Sequence, residues 1–171
     1  MINLFSDKSN CCGCSACFSI CPKNAISMLP DEEGFLYPHI DTTKCIECGL
    51  CKKVCAFQSP YDVTKSNPQL KVYAVKHRNE DVRQDSQSGG AFTALSDVIL
   101  SEGGVIYGAT FGNDWHVKHG RAQTPAERNC FRGSKYVQSD LDSIFYQVER
   151  DLNQGEKVLF SGTPCQCAGL K

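Results

Sequence analysis

Eight cysteines fall into two runs of one spacing. Cys11, Cys14, Cys17 and Cys21 form the first, and Cys45, Cys48, Cys51 and Cys55 the second. Each run reads C-x2-C-x2-C-x3-C. Thiolates are the natural ligands of iron–sulfur clusters, and four in one tight run suit the corners of a [4Fe–4S] cube. Two residues between neighbouring ligands let the backbone curl around such a cube. The curl turns N–H groups inward and builds a nest for an anionic cluster. The fourth thiolate, three residues further on, lies past the curl and is free to serve a second cube.

This is the spacing of bacterial two-cluster ferredoxins, in which the fourth cysteine of each run ligates the other cluster. It predicts Cys11, Cys14, Cys17 and Cys55 on one cluster, and Cys45, Cys48, Cys51 and Cys21 on the other. Small residues accompany the loops: Gly13 and Ser15-Ala16 in the first, Gly49 in the second. Glycine tolerates the left-handed backbone that a cluster loop demands. Pro22 follows Cys21, whereas Ala56 follows Cys55. Cys12 stands one residue from Cys14, which breaks the spacing and leaves Cys11 as the ligand.

Three other uses of cysteine compete with this reading. Twelve cysteines in 171 residues could form a disulfide framework, but Met1 to Asn10 has no apolar signal-peptide core. Zinc sites pair two C-x2-C knuckles rather than four cysteines in one run. Inert buried cysteines would not repeat a three-gap spacing twice.

Formal net charge is −1, with Lys and Arg scattered. That argues against nucleic acid as a partner. No apolar run approaches a membrane span. Oxygen-labile clusters and abundant free cysteine imply a reducing, cytoplasmic setting. The chain stops at Lys171 without a turn or polar tail, so a fragment of a longer protein is expected.

Positioning the cysteines requires a small pseudo-symmetric fold. Ala16–Ile20 reads as a short helix, Ala25–Met28 and Phe35–Pro38 as paired strands, and Pro30–Gly34 as their turn. Polar, proline-containing residues around Gln58–Pro68 read as a linker. The expected fold class is α+β: a ferredoxin-like domain over 1–58, a linker over 59–69, and an incomplete α/β domain over 70–171. In the second domain, Leu70–Val75 and Val105–Ala109 read as strands, with Val117–Ala122 returning beside the latter. A helix follows Ser88-Gly89-Gly90, with Phe92, Leu95, Val98 and Ile99 on one face and Gly103 at its end. Ser139 is expected to cap a second long helix, striped by Leu141, Ile144, Phe145, Val148 and Leu152. Val158–Phe160 reads as a short strand.

Three turns beyond the clusters carry chemistry-bearing residues. Ser88, Gly89 and Gly90 precede a helix, where free N–H groups suit an anion or simply cap the helix. Gly133, Ser134 and Lys135 offer a hydroxyl and a cation, or form a surface turn. Pro164 suits the first position of a helix, which puts Cys165 near its start. Cys165 could ligate iron, attack a substrate or be inert. Cys165 and Cys167 are two apart and would not face one way on a helix; Cys130 is a further thiol. His39, His77, His116 and His119 form no helix-spaced zinc pair and read as solvent or core residues.

The order of pieces narrows the family. CCGCSACFSICP, CIECGLCKKVC, QSGGAFTAL, RGSKYVQS and FSGTPCQCAGL together resemble the beta-subunit family of hydrogenases and dehydrogenases that act on the deazaflavin coenzyme, in the form with a fused ferredoxin domain. The resemblance implies an iron–sulfur and flavin oxidoreductase subunit. It implies electrons passing between two [4Fe–4S] clusters and an FAD near Ser88, Gly89, Gly90, Gly133, Ser134 and Lys135. It also implies a redox partner protein or carrier, a small-molecule substrate, and Cys165 close to the redox centre as a catalytic candidate. A ferredoxin-type electron carrier whose second domain only docks a partner, and a zinc-binding interaction module, are the alternatives.

Overall fold

The computed structural model describes residues 3–58 and 69–170. The expected linker falls mostly on 59–68, outside the described residues. The chain divides into two compact units. Of the described residues, the first takes those within Met1–Tyr61, together with Asp140–Tyr146 and Gly162–Lys171. The second takes those within Asp62–Ser139 and Gln147–Ser161. Two later segments thus fold with the cysteine runs, which a single cut in the sequence did not foresee.

In the first unit, the two cysteine loops each run into a short helix, α1 (Ala16–Ser19) and α2 (Leu50–Val54). Between them, β1 (Ile26–Pro30) and β2 (Leu36–Ile40) pair antiparallel, with Ile26 opposite Ile40 and Met28 opposite Pro38. A two-stranded hairpin has only edge strands, so Pro38 costs no ladder bond. The turn is tied by Asp31, whose Oδ1 accepts from the N–H groups of Glu33 and Phe35 at 3.0 Å each. Gly34 completes it at φ 88°. Leu4, Ile26 and Cys51 are buried together, with Phe5, Cys17, Phe18, Cys21 and Ile40 packed on them. This core is small and includes cysteines of both runs.

The second unit is built on a mixed three-stranded sheet, ordered β4-β3-β5. After α3 (Glu80–Gln84) and α4 (Ala91–Ser101) come β3 (Val105–Phe111) and its antiparallel partner β4 (Val117–Ala122). Helices α5 (Pro125–Asn129) and α6 (Ile144–Asn153) follow, and β5 (Val158–Phe160) then lies parallel to β3. Helix α4 packs on β3 and β5. Its end is a Schellman arrangement: Gly103, at φ 78°, donates to Leu100 O, and Gly104 donates to Ile99 O.

Three sequence expectations change here. Leu70–Val75 is not a strand; it has no ladder partner among the described residues, and Leu70, Val72, Tyr73 and Val75 are exposed. Alternation makes a strand only where a neighbouring strand accepts its hydrogen bonds. Leu95 and Val98 of α4 are exposed, while Thr93 and Ser96 are fully buried. The buried Arg128 side chain reorganises that face: it donates to Thr93 O, Ser96 Oγ and Asp97 Oδ1. Ser139 does not cap a helix. Its hydroxyl donates to His119 Nδ1 (2.9 Å), and His119 Nε2 faces the Ser161 carbonyl at 3.1 Å. A carbonyl only accepts, so these partners fix the Nε2–H tautomer. Burial holds the ring below the ordinary histidine range, so it is neutral.

A buried ionic group ties the sheet to α6. Tyr107 and Arg121 are cross-strand neighbours, and both donate to Asp151 Oδ2, at 2.6 and 2.7 Å. Burial alone would raise the Asp151 carboxyl. Hydrogen bonds from Arg121, Tyr107 and Arg150 outweigh it and hold the group below the usual carboxylate range. The α6 stripe therefore ends on this carboxylate, and Leu152 beside it stays exposed.

Candidate functional site

The cysteine loops are shaped by left-handed residues in matching places. Gly13 (φ 62°) and Ser15 (φ 61°) bend the first loop; Glu47 (φ 53°) and Gly49 (φ 78°) bend the second. In each run one such residue stands just before the second cysteine and another just after it. This reverses the chain twice within a few residues and wraps it around a point. Left-handed backbone costs a non-glycine residue about 1–2 kcal/mol, so Ser15 and Glu47 carry strain for the sake of the loop. Ser15 and Gly49 also open α1 and α2. Only the two glycines were legible as loop formers in the sequence.

The wrapped points are two hollows. One is lined by Cys45, Cys48, Cys51 and Cys21. The other is lined by Cys11, Cys14, Cys17 and Cys55, with Cys12 at its wall. Each fourth cysteine thus lines the hollow of the other run. All twelve cysteines are free thiols. Among the described residues no three His, Cys, Asp or Glu groups converge as ligands of a single ion. The thiols ring volumes rather than points.

Backbone N–H groups face the sulfurs, as a nest requires. Ala25 N–H donates to Cys21 Sγ at 3.3 Å, and the Gly13, Ala16, Phe18 and Lys52 amides act to lower the Cys11, Cys14, Cys17 and Cys51 thiols. Burial nevertheless pushes the Cys11, Cys14, Cys17 and Cys51 thiols up, Cys17 to about 12. Neighbouring thiols add to this, Cys55 among those acting on Cys11, Cys14 and Cys17. Bare thiolates would be costly here. A site with this many thiols and inward N–H groups fits a positively charged iron–sulfur core, which would neutralise them and release their protons.

The G-T-P-C segment lies in the same unit. Helix α7 (Pro164–Gly169) starts with Pro164 at its first position, and Thr163 and Gln166 form a capping box. It packs on α1. A Cβ on Gly169 would stand 2.7 Å from the Ala16 side chain and 3.7 Å from Cys14 Sγ. Cys165 is half-buried, and its Sγ lies 3.1 Å from Thr163 Oγ1. Cys167 is exposed and donates to Gly162 O. The two therefore face differently, as expected. This return to the first cysteine run was invisible in the sequence, because only tertiary packing brings it there.

In the second unit, the two glycine turns come together. Ser134 N–H donates to Gln87 Oε1 at 2.7 Å, and Gly133 (φ 78°) approaches the same amide. Gly89 is required by packing: a Cβ there would meet Val75 O at 2.4 Å, and its carbonyl accepts from His77 N–H. Gly90 opens α4 at φ 78°, and Ser88 is exposed. Lys135 donates to Cys130 O and Arg132 O and lies 6.0 Å over the Phe111 ring. Arg132 Nε, which sequence reading did not single out, is buried without a hydrogen-bond partner among the described residues. Cys130 is exposed, as are His39 and His116.

Gly49 isolates the conformational requirement of the loop, because no atom lies within 4 Å of where its Cβ would stand. Gly49→Ala should lower stability by about 1 kcal/mol, from the left-handed backbone alone. Gly49→Asn should cost less, since asparagine tolerates this region. Denaturant midpoints check both; an Ala variant as stable as the parent would contradict the loop argument.

Comparison with known proteins agrees with this geometry. Residues 10–59 match the 4Fe-4S dicluster domain. Residues 72–145 match the N-terminal part of the coenzyme F420 hydrogenase/dehydrogenase beta subunit. A coenzyme F420-dependent sulfite reductase of Methanocaldococcus jannaschii is 27% identical over 99% of this chain; the chain spans 26% of that protein's length. A ferredoxin of the same organism is 32% identical over 54 residues, covering 32% of this chain and 69% of the ferredoxin. A methylamine utilization ferredoxin-type protein of Methylobacillus flagellatus is 47% identical over 47 residues, 25% of this chain and 20% of that protein. The crossed hollows and the order of the two matches lead to one statement: the chain joins a 4Fe-4S dicluster ferredoxin domain to a segment similar to the N-terminal part of the coenzyme F420 hydrogenase/dehydrogenase beta subunit, an arrangement consistent with that family in the form with a fused ferredoxin domain.

Proposed function

We propose that this chain is the electron-entry part of a flavin- and iron–sulfur-dependent oxidoreductase. It is an iron–sulfur electron-transfer subunit of oxidoreductase type. The finer reading assigns each ligand. Cys11, Cys14, Cys17 and Cys55 hold one [4Fe–4S] cluster; Cys45, Cys48, Cys51 and Cys21 hold the other. The observation that carries it is the pair of hollows, each lined by one crossed set. Bound cubes supply one-electron steps. The chain's own residues exclude water with Leu4, Phe5 and Phe57 at one hollow and Ile26, Ile40 and Leu50 at the other. The N–H groups of Gly13, Ala16, Phe18, Ala25 and Lys52 stabilise thiolate charge.

FAD is the proposed destination of the electrons, near Ser88, Gly89, Gly90, Gly133, Ser134 and Lys135. Support comes from the Gln87–Ser134 bond, which joins the two glycine turns, and from the buried, unpaired Arg132 Nε beside them in sequence. The Lys135 ammonium, already bonded to two carbonyls, favours the other reading, a carrier whose second unit docks a redox partner. A flavin would let two-electron chemistry on a small molecule proceed through single-electron steps.

Paired substitutions test the crossing. Cys21→Ser with Cys45→Ser should remove one cluster and leave about four irons per chain. Cys21→Ser with Cys11→Ser should remove both. The opposite pattern would mean that each run serves its own cluster. In the full-length protein, flavin absorbance retained after desalting is the expected result. Iron–sulfur colour alone would reject FAD and favour the carrier.

A further inference from the structure

The two hollows differ in what surrounds them. No charged side chain lines the hollow of Cys11, Cys14, Cys17 and Cys55, whereas Lys23 lines that of Cys45, Cys48, Cys51 and Cys21. Cys48 is the one exposed thiol of these eight. Ile46 and Leu50 line the same hollow and are 57% and 37% exposed. Lys52 and Lys53 follow on α2 with exposed side chains. Lys44 is exposed as well, but Asp41 pairs with it at 3.1 Å, and Glu47 is the other carboxylate of this loop. Neither Lys23 nor Lys52 has an ion pair among the described residues. Cations thus outnumber carboxylates around a small apolar patch and an exposed sulfur.

The first run is covered instead. Helix α7 packs on α1, and a Cβ on Gly169 would stand 3.7 Å from Cys14 Sγ. Tyr146 O–H donates to Phe18 O at 3.4 Å, and its ring meets the Phe18 ring edge-on. Segments that return from later in the chain therefore lie against the first run, on the helix that carries Cys17.

We propose that the face around Cys48 is the docking site of an acidic electron-carrier protein, which delivers electrons at the hollow of Cys45, Cys48, Cys51 and Cys21. This rests on the cluster reading. Carboxylates around the carrier's own exposed redox group meet Lys23 and Lys52, and Ile46 and Leu50 supply apolar contact close to the Cys48 sulfur. Opposite charges speed the encounter and set its orientation. A patch this small suits the brief complexes of electron-transfer pairs. In each encounter the carrier is oxidised by one electron, and the cluster held by these four cysteines is reduced by one.

The test uses full-length, cluster-loaded protein prepared without oxygen. The probe is a flavodoxin, a small acidic carrier; cytochrome c, a basic carrier, is the control. Calorimetry should show flavodoxin binding at least about tenfold more tightly than cytochrome c at low salt. Its affinity should fall at least about tenfold between about 0.02 M and about 0.3 M salt. Lys23→Glu with Lys52→Glu should weaken flavodoxin at least about tenfold while the protein keeps about eight irons. Lys118→Glu, exposed on β4, should leave binding unchanged. Carbodiimide cross-linking should join Lys23 or Lys52 to flavodoxin carboxylates. Iron-loaded protein that does not bind flavodoxin, equal affinity in the Lys23/Lys52 variant, or cross-links confined to lysines of the second unit would overturn the inference alone. A parent chain that takes up no iron sinks the cluster reading, and this inference with it.

Discussion

Burying thiolates is the constraint on which the first unit depends. Each hollow gathers four thiols, and burial drives Cys11, Cys14, Cys17 and Cys51 among them toward the neutral form. Two things offset this: a cationic metal core, and N–H groups turned inward. The second is a matter of backbone alone. Left-handed residues on both sides of the second cysteine of each run turn the amides toward the sulfurs. Two of them, Ser15 and Glu47, are not glycine, and the strain they hold is a local cost of the curl. Placing the fourth cysteine of each run at the other hollow then makes each hollow depend on both runs. The hairpin between them needs little core of its own.

The second unit follows more ordinary rules, with polar groups where the sequence suggested apolar ones. Arg128 is buried against Thr93, Ser96 and Asp97, and Asp151 is buried between Tyr107 and Arg121. Buried charges persist where their hydrogen bonds are complete. These groups fix how α4, α5 and α6 meet the sheet. They also displace Leu95, Val98 and Leu152 to the surface.

Much of this was legible in the sequence. Cysteine spacing reflects the geometry of a cube, so which cysteines line each hollow, and the exchange of Cys21 and Cys55 between them, could be read from residue types alone. The β1–β2 and β3–β4 hairpins, Gly103 and Pro164 follow from local backbone rules, and those read correctly. The misreadings share one cause. The strand at Leu70–Val75, the α4 stripe and the Ser139 cap each depend on partners distant in sequence. The return of Cys165 to α1 is of the same kind. Asn79, which caps α3 with acidic residues in its first turn, was a local signal that could have found that helix.

The central claim is that two cubes sit in the two hollows. Anaerobic reconstitution with iron and sulfide, followed by metal and sulfide analysis and electron paramagnetic resonance of the reduced protein, tests it most directly. About eight irons and eight sulfides per chain, with a spectrum broadened by two interacting [4Fe–4S] centres, is the predicted result. A colourless protein that retains zinc and accepts no sulfide would contradict it.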